Sequence, residues 1–277
     1  MKVIFYDVEQ GSCCHIITPN DKHILVDVGS KAGDSIVEYI WRTYCRYDLD
    51  GLVITHPHAD HIFDLPNLYK LLKPTVLVRN PAAFDVVPDV KNYVHQQIAR
   101  IANEMNKTYT TPAWGEMNPF NENMNGGVKF TFIWPKDEWA TKNDLNTFSC
   151  IIIMKYYDIK FVLTGDNPKE ILQKMVNENY ENIRSKIRNA NVLLAPHHGR
   201  ENGYCEDFFK LVNPELTVVS DKSIVYGSQQ NTTTLYKGRG KLVGGQQRYV
   251  LTTRNDGTIS FNFDYWNCSV RLNSEGY

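Results

Sequence analysis

Positions 55–61 read Thr-His-Pro-His-Ala-Asp-His and follow a short apolar run that has the character of a buried strand. Alternate side chains of an extended chain point the same way, so His56 and His58 can reach one metal ion together. Pro57 keeps His56 out of the α-region and favours this extended geometry. A turn into a helix after His58 would present Asp60 and His61 to a second ion. Because imidazole and carboxylate groups suit Zn²⁺, Mn²⁺ or Fe²⁺, the segment predicts a metal centre rather than a polar turn.

Two later segments have the same form, a hydrophobic strand that ends in a potential ligand. Residues 161–166 read Phe-Val-Leu-Thr-Gly-Asp and deliver Asp166, whose carboxylate can bridge two cations and reduce their repulsion. Residues 192–199 read Val-Leu-Leu-Ala-Pro-His-His-Gly and deliver the pair His197 and His198. Each segment is a weak signal alone, since an aspartate after a strand is usually a helix cap. Together, the three segments predict a site for two ions.

The rest of the chain alternates short predicted strands with predicted helices, which indicates an α/β (α+β) protein whose helices cover sheet faces. The apolar periodicity predicts helices at 34–44, 65–72, 89–106, 168–179, 206–212 and 232–236. A hairpin is predicted from strands Tyr249–Thr252 and Thr258–Phe263, turned at 255–257. Residues 107–127 are polar and predict a long surface loop. The chain has 277 residues and no evident linker, so we expect a single domain over 1–277.

Composition limits the classes of function and of location. The formal net charge is −1, from 30 Lys and Arg against 31 Asp and Glu, so a nucleic-acid partner would need a local basic patch. No apolar run is long enough to span a bilayer, and the N-terminal residues do not resemble a signal peptide. The 6 cysteines lack metal-type or disulfide-framework spacing and are expected to be reduced thiols. The sequence predicts a cytoplasmic protein with no membrane partner.

Three motifs in this order, THPHADH at 55–61, LTGD at 163–166 and LLAPHHGR at 193–200, resemble the metallo-β-lactamase superfamily. The opening segments FYDVEQGS at 5–12 and HILVDVGS at 23–30 fit the paired N-terminal strands of that family. Within it, the chain is most similar to the soluble hydrolase domain of DNA-uptake channels of the ComEC type and their stand-alone relatives. The resemblance covers about residues 3–263 and implies a four-layer αββα sandwich with the metals at one edge.

The resemblance also implies the ligands of one or two divalent metal ions, Zn²⁺ or Mn²⁺. His56 and His58 would bind one ion, Asp60 and His61 would bind the other, and Asp166 would lie between them. One histidine of the pair after the third motif would complete the second site.

Alignment with relatives that end this motif in Gly-His favours His198 over His197 as that ligand. Asp27, at the turn beside the site, would fix the tautomers of histidine ligands. Most members supply a further histidine to the first ion before the strand at 149, and this chain has none there. Asp144 or Asn146 would have to substitute, and oxygen ligands favour the harder Mn²⁺ over Zn²⁺.

Such a centre would perform metal-assisted hydrolysis, because two cations lower the pKa of a held water from about 15.7 towards 7. Asp60 or Asp166 would take the proton or orient the nucleophile. The member of the His197–His198 pair that is not a ligand would donate a proton to the leaving group.

The substrate is predicted from a stretch that holds no acidic residue, Lys222–Asn255. Its cations and tyrosines suit phosphate contact and base stacking, which predicts a nuclease acting on DNA or RNA. The candidate substrate-binding residues are Arg200, Tyr226, Lys237, Arg239 and Lys241. One alternative is a hydrolase of small phosphodiesters, nucleotides, lactones or thioesters, with the 107–127 loop as a lid. Another is a partner-regulated component whose metal site is incomplete.

Overall fold

The strands of this protein are short, and alternate residues of each strand face two different apolar layers. The computed structural model describes residues 1–85, 93–111, 115–224, 227–263 and 268–273. The strands are β1 (Lys2–Phe5), β2 (Cys14–Ile17), β3 (His23–Val26), β4 (Asp48–Val53), β5 (Lys73–Val78), β6 (Lys129–Ile133), β7 (Ile151–Tyr156), β8 (Ile159–Leu163), β9 (Val192–Leu194), β10 (Leu216–Val219), β11 (Lys241–Val243), β12 (Gln246–Arg248), β13 (Val250–Thr252), β14 (Ile259–Phe263) and β15 (Cys268–Leu272).

The helices are mostly short, and several span a single turn. They are α1 (Ile36–Tyr44), α2 (Ala59–Ile62), α3 (Leu65–Leu71), α4 (Pro81–Phe84), α5 (Tyr93–Thr108), α6 (Lys169–Asn177), α7 (Ile183–Ile187), α8 (Glu206–Val212), α9 (Thr232–Leu235) and α10 (Thr253–Asp256). Short 3₁₀ helices cover Gly115–Met117, Asp137–Trp139, Leu145–Phe148, Tyr180–Asn182, Pro196–Gly199, Glu201–Gly203 and Gly227–Gln229.

Two mixed sheets are built from these strands. The first has seven strands in the order β15-β14-β1-β2-β3-β4-β5, and the second has six in the order β13-β10-β9-β8-β7-β6. Strands β3, β4 and β5 run parallel in the first sheet. Strands β8, β9, β10 and β13 run parallel in the second. Strands β11 and β12 form a separate antiparallel hairpin.

The first strand occupies the middle of its sheet and is held by the end of the chain. β1 pairs with β2 on one side and with β14 on the other, antiparallel in both cases. The Met1 amino group donates to the Phe263 carbonyl at 3.1 Å, and the Phe263 amide donates to the Met1 carbonyl at 2.9 Å. Residues at the two extremes of the sequence therefore complete one sheet.

Three apolar clusters define four layers. Val3 and Phe5 of β1 belong to the cluster between the two sheets, whereas Ile4 lies in the cluster under α1, α3 and α5. The third cluster joins the other face of the second sheet to α6, α7 and α8. This alternation follows from the two-residue period of a strand. The predicted four-layer αββα sandwich is confirmed.

Most predicted elements are present within two or three residues of their predicted bounds, and α8 has the predicted bounds. The helix predicted at 89–106 is observed as α5, and residues 89–92 lie outside the described residues. The sequence patterns did not reveal α7, the β11–β12 hairpin or β15. These elements are too short or too polar for a periodic signal.

The predicted terminal hairpin is wrong. β13 pairs in parallel with β10 of the second sheet, and β14 pairs with β1 of the first. The intervening residues form α10, and the Asp256 carboxylate accepts a hydrogen bond from the Thr252 amide at 2.9 Å. Gly257 then takes a positive φ of 61°. The chain therefore crosses from one sheet to the other here instead of reversing within one.

The described part of the 107–127 segment reaches two places on the first sheet. Its first two residues continue α5, and Asn125 is buried with its side chain bonded to the Pro119 and Val128 carbonyls. Asn20, in the turn between β2 and β3, donates to the Met124 carbonyl at 2.8 Å. Thr111 and Asn118 line a cavity together with Val78 and Arg79, at the carboxyl end of β5. The role of the segment as a lid stays a prediction.

The sequence predicts six reduced cysteine thiols and no membrane-spanning segment. The six cysteines form no disulfide, and four are buried, while Cys45 is exposed and Cys268 is half-buried. Within the described ranges, no helix combines the length and the apolar character needed to cross a membrane.

Candidate metal centre

The predicted ligands meet where parallel strands of both sheets end. Asp27 follows β3, the segment 55–61 follows β4, Asp166 follows β8, and the histidine pair follows β9. Carboxyl ends of parallel strands share one edge of a sheet, which is where α/β proteins generally bind ligands. Ser220, directly after β10, also reaches this edge.

Close packing against Gly29 fixes α2, the short helix that carries Asp60 and His61. After the extended His58, the chain turns into α2 as predicted, and the His61 amide donates to the His58 carbonyl at 3.0 Å. Gly29 lies so close that a Cβ placed on it would be 2.3 Å from the Asp60 carbonyl oxygen. A side chain at residue 29 would therefore displace Asp60 and with it the geometry of α2.

Four side chains form a compact cluster of potential ligands. One donor atom from each of Asp60, His61, Asp166 and His198 lies within 4.8 Å of the others. The His61 Nε2 is 3.2 Å from one Asp166 oxygen. The His198 Nε2 is 3.3 Å from the other Asp166 oxygen and 3.3 Å from an Asp60 oxygen. Asp166 thus lies between the two imidazoles.

Hydrogen bonds from Nδ1, the ring nitrogen that faces away from the cluster, orient both imidazoles. His61 Nδ1 donates to the Asp27 carboxylate at 2.7 Å, and His198 Nδ1 donates to the Ser220 carbonyl at 2.8 Å. The Nε2 atoms of both rings are buried and have no hydrogen bond of acceptable geometry. Fixing the proton on Nδ1 leaves the Nε2 lone pair for a metal ion, so the donor set fits a divalent cation.

The electrostatics of the cluster also fit a cation. Burial alone would lower the pKa of His198, but the carboxylates of Asp166 and Asp60 raise it to about 10. Burial would raise the pKa of Asp166, yet His198 and His61 hold it well below its usual range. The pKa of His61 is likewise raised by Asp166 and Asp27 against the effect of burial. Raised histidine pKa values beside lowered aspartate pKa values show that this site favours positive charge, which a metal ion would also supply.

His56 and His58 form a second pair beside the cluster. Their ring nitrogens Nε2 and Nδ1 are 3.1 Å apart, and the His56 ring centroid is 4.2 Å from that of His61. The Thr55 hydroxyl donates to Asp27 at 2.8 Å and lies 3.2 Å from His56 Nδ1. Thr55 and Asp27 therefore connect the two histidine sets, and all six predicted ligands lie in one place.

The two candidates for the missing ligand of the first ion differ in their hydrogen bonds. The Asp144 carboxylate accepts from the Asn146 amide at 3.1 Å through one oxygen and caps the 3₁₀ helix Leu145–Phe148. The Asn146 Oδ1 atom is buried and has no hydrogen-bond partner. The Cys150 amide donates to the Thr55 carbonyl at 3.2 Å, which ties this segment to the one that carries His56.

The turn that carries the histidine pair is strained. His197, His198 and Gly199 all have positive φ, at 51°, 54° and 70°. A Cβ on Gly199 would be 2.6 Å from Thr232, so only glycine fits. Consecutive left-handed residues store strain and cluster at functional sites. The turn sends His198 into the cluster and leaves His197 outside it, with its Nε2 3.5 Å from Arg200 Nη1.

The other predicted substrate-binding residues are not brought to the cluster. Arg239 and Lys241 lie 3.8 Å and 3.4 Å from Glu215, at the start of β10. The five residues from there to Ser220 span about 16 Å of extended chain. Lys237 follows α9 and lies over the Tyr249 ring at 4.5 Å. Tyr226 lies outside the described residues.

The basic stretch 222–255 is acid-free in the sequence but not in space. Arg248 binds the Asp256 carboxylate at 2.7 Å, and Arg254 lies 2.9 Å from Asp221. Both acids flank the stretch by a single residue, and Glu215 lies beside Arg239 and Lys241 in its middle. Three neighbouring acids therefore offset part of the positive charge of the stretch, which a count confined to one stretch could not show.

Three supporting groups were not predicted as site residues. Thr55 and Ser149 contribute hydroxyls, the latter accepting from the Asp166 amide at 3.1 Å. Ser220 contributes its carbonyl. Thr55 immediately precedes the histidine motif, so its position at a strand end was an available signal. A backbone carbonyl has no sequence signature.

The chain is similar to several known proteins. The family model of the metallo-beta-lactamase superfamily matches residues 8–219. ComE operon protein 3 of Bacillus subtilis is 26% identical over 283 residues, which cover 95% of this chain and 33% of that protein. The chain thus spans about a third of the length of that relative.

Two further proteins are similar over different extents. A UPF0173 metal-dependent hydrolase of Chloroflexus aurantiacus is 32% identical over 74 residues, 27% of this chain and 28% of that one. The solved metallo-beta-lactamase fold protein YhfI of Bacillus subtilis has a TM-score of 0.49 at 12% identity, covering 93% of this chain and 99% of that one.

Proposed function

This chain belongs to the metallo-β-lactamase superfamily, and on that premise we propose that it is a metal-dependent phosphodiesterase that cleaves nucleic acid. The observation that carries the proposal is the cluster of Asp60, His61, Asp166 and His198. In this cluster, two carboxylates lie beside two imidazole Nε2 atoms that are buried and make no hydrogen bond. Such a mixed nitrogen and oxygen set suits Zn²⁺ or Mn²⁺.

His56 and His58, with Asn146, would form the first ion site, and the four-residue cluster would form the second. Bound ions supply Lewis acidity that lowers the pKa of water and neutralises phosphate charge. Asp60 is the more exposed carboxylate, with 30% of its side chain accessible, and is placed to accept a proton from the attacking water.

His197 would donate a proton to the leaving oxygen. It lies next to the cluster but outside it, its Nδ1 is buried without a partner, and burial lowers its pKa. The lowered pKa favours the neutral ring, so His197 would donate only from its protonated form, which is the minor one at pH 7. Arg200, beside His197, would bind a phosphate oxygen.

The substrate class rests on two supports. ComE operon protein 3 is similar over nearly the whole chain, and the motifs resemble the hydrolase domain of DNA-uptake channels. Three predicted basic residues remain proposed contacts for a polymeric substrate: Lys237, Arg239 and Lys241. They lie away from the cluster, so only a long substrate could reach both them and the metal centre. A hydrolase of small phosphodiesters is the second candidate, and the acids that offset part of the basic stretch favour it.

The protein loaded with Mn²⁺ or Zn²⁺ should degrade single- or double-stranded DNA or RNA, and EDTA should stop the reaction. The double variant His58→Ala, Asp60→Ala should show no cleavage, since it loses a ligand from each ion site. Gel assays on labelled oligonucleotides measure this. Turnover of a small ester or phosphoester with no nucleic acid cleaved under any metal would reject the nuclease and favour the second candidate.

The assignment of Asn146 makes a separate prediction. Asn146→Ala should bind about one metal ion fewer per chain than the wild type, by mass spectrometric metal analysis. Asp144→Ala should keep the metal content and lose about 1 kcal/mol of unfolding free energy, because it removes a helix cap. If Asp144→Ala loses the ion and Asn146→Ala does not, the ligand is Asp144.

A further inference from the structure

A cavity lies beside the metal centre, and the function proposed above gives it no role. Its volume is about 590 Å³, and it is lined by Asp7, Glu9, Lys222, Ser223, Ile224, Arg254 and Asn255. One wall comes from the loop between β1 and β2, and the other from residues that follow β10.

The two walls are fastened together at the metal centre itself. The Ser220 hydroxyl donates to the Gly11 carbonyl at 2.7 Å. Ser220 also holds His198 through its carbonyl, and a Cβ on Gly11 would be 2.6 Å from the Asp60 carbonyl. Lys222 stands two residues beyond Ser220, and Glu9 two residues before Gly11. The two walls of the cavity are therefore continuous with the segments that hold Asp60 and His198.

Two charged groups of the cavity, Lys222 and Glu9, make no ion pair with the described residues. The other two charges are paired: Asp7 lies 3.3 Å from Lys31, and Arg254 lies 2.9 Å from Asp221. Lys222 is half-buried and also makes no hydrogen bond with the described residues, whereas Glu9 is exposed. The Lys222 ammonium is therefore available to an anionic ligand.

An apolar surface adjoins this cation. Ile224 is 52% exposed and also lines the cavity. A cation next to an accessible apolar side chain matches a nucleotide, which has a phosphate beside a sugar and a base. It matches an isolated inorganic anion less well, since the apolar part would stay uncovered.

We propose that this cavity, called the Lys222 cavity below, binds the nucleotide adjacent to the scissile bond. Lys222 contacts its phosphate, and Ile224 packs against its sugar or base. This inference rests on the proposed function and specifies the substrate-binding part of the same site. It requires a substrate with at least two phosphates in a chain, because one occupies the metal centre and the next occupies the cavity.

The test compares two substrates that differ in the flanking phosphate, the single-stranded decanucleotide (dT)₁₀ and bis(p-nitrophenyl) phosphate. In Lys222→Ala, kcat/KM for (dT)₁₀ relative to that for the small ester should fall about tenfold, through KM. The slope of log(kcat/KM) against log salt for (dT)₁₀ should shrink by about 1, as expected for one lost phosphate contact. Lys222→Arg should retain most of the wild-type ratio.

Lys129→Ala is the matched control, because Lys129 is an exposed lysine at the start of β6, the edge strand of the second sheet farthest from β10. Thermal unfolding should show that all variants are folded. A ratio and a salt slope equal to those of the wild type in Lys222→Ala would overturn the proposal.

A binding measurement separates this proposal from the proposed function. Fluorescence anisotropy of labelled (dT)₁₀ in EDTA reports binding without turnover. If the wild type hydrolyses neither substrate, the proposed function fails, and the anisotropy then decides the cavity. A Kd about tenfold weaker in Lys222→Ala supports the Lys222 cavity, and an unchanged Kd overturns it.

Discussion

Asp166→Asn is expected to lower kcat/KM by about a thousandfold or more, a loss of roughly 4 kcal/mol in transition-state stabilisation. The carboxylate lies 3.2 Å from His61 Nε2 and 3.3 Å from His198 Nε2, so it is the group between the two imidazoles. An amide keeps the shape but removes the charge that a bridging ligand supplies. Metal content per chain should fall together with activity.

The matched control is Asp158→Asn. Asp158 is exposed in the turn that precedes β8, and Asp166 follows the end of the same strand. The control should keep the activity and the metal content of the wild type. Circular dichroism would verify that both variants are folded. An Asp166→Asn variant with near wild-type turnover and full metal content would contradict the assignment of the centre.

The second prediction with a large expected effect distinguishes the roles of the adjacent residues His197 and His198. His198→Ala should lose metal and at least about a thousandfold in activity, because its Nε2 lies in the cluster and its Nδ1 is held by Ser220. His197→Ala should keep its metal and lose about 10²–10⁴-fold in kcat, the range of a general acid. Each variant is the control for the other, since both remove an imidazole from the same strained turn.

The leaving group provides the discriminating measurement for His197. A substrate that releases p-nitrophenol needs little protonation of the departing oxygen, whereas an oligonucleotide releases a basic alkoxide. The loss in His197→Ala should therefore be large for an oligonucleotide and small for the nitrophenyl ester. Equal losses for both substrates, or loss of metal, would show that His197 is not the acid.

Residues whose chemistry is local could be predicted from the sequence. Histidines at alternate positions of an extended segment point the same way, and the ring nitrogens of His56 and His58 lie 3.1 Å apart. Asp166 could be placed because a strand that ends in a ligand brings it to the common edge. The resemblance of the three motifs supplied the four-layer architecture, which the strand patterns alone did not specify.

Predictions that depended on which segments become neighbours failed or stayed open. The strand pattern of β13 and β14 was recognised, but strand propensity does not identify a partner, and the two strands lie in different sheets. The positive charge of the acid-free stretch is partly offset by Glu215, Asp221 and Asp256, which lie just outside it in the chain. The choice between His197 and His198 needed the positive φ angles of their turn.

The pairing of β1 with β14 has a consequence for how this protein acquires its site. Strand formation in the middle of the first sheet joins residues separated by more than 250 positions. Contacts of such high order make folding slow, because the entropy of closing a long loop is lost before the contacts form. During synthesis, β1 has no permanent neighbour on one side until β14 has emerged. The sheet that carries Asp27 and the segment 55–61 at its edge is therefore completed only after all the predicted ligands have been synthesised.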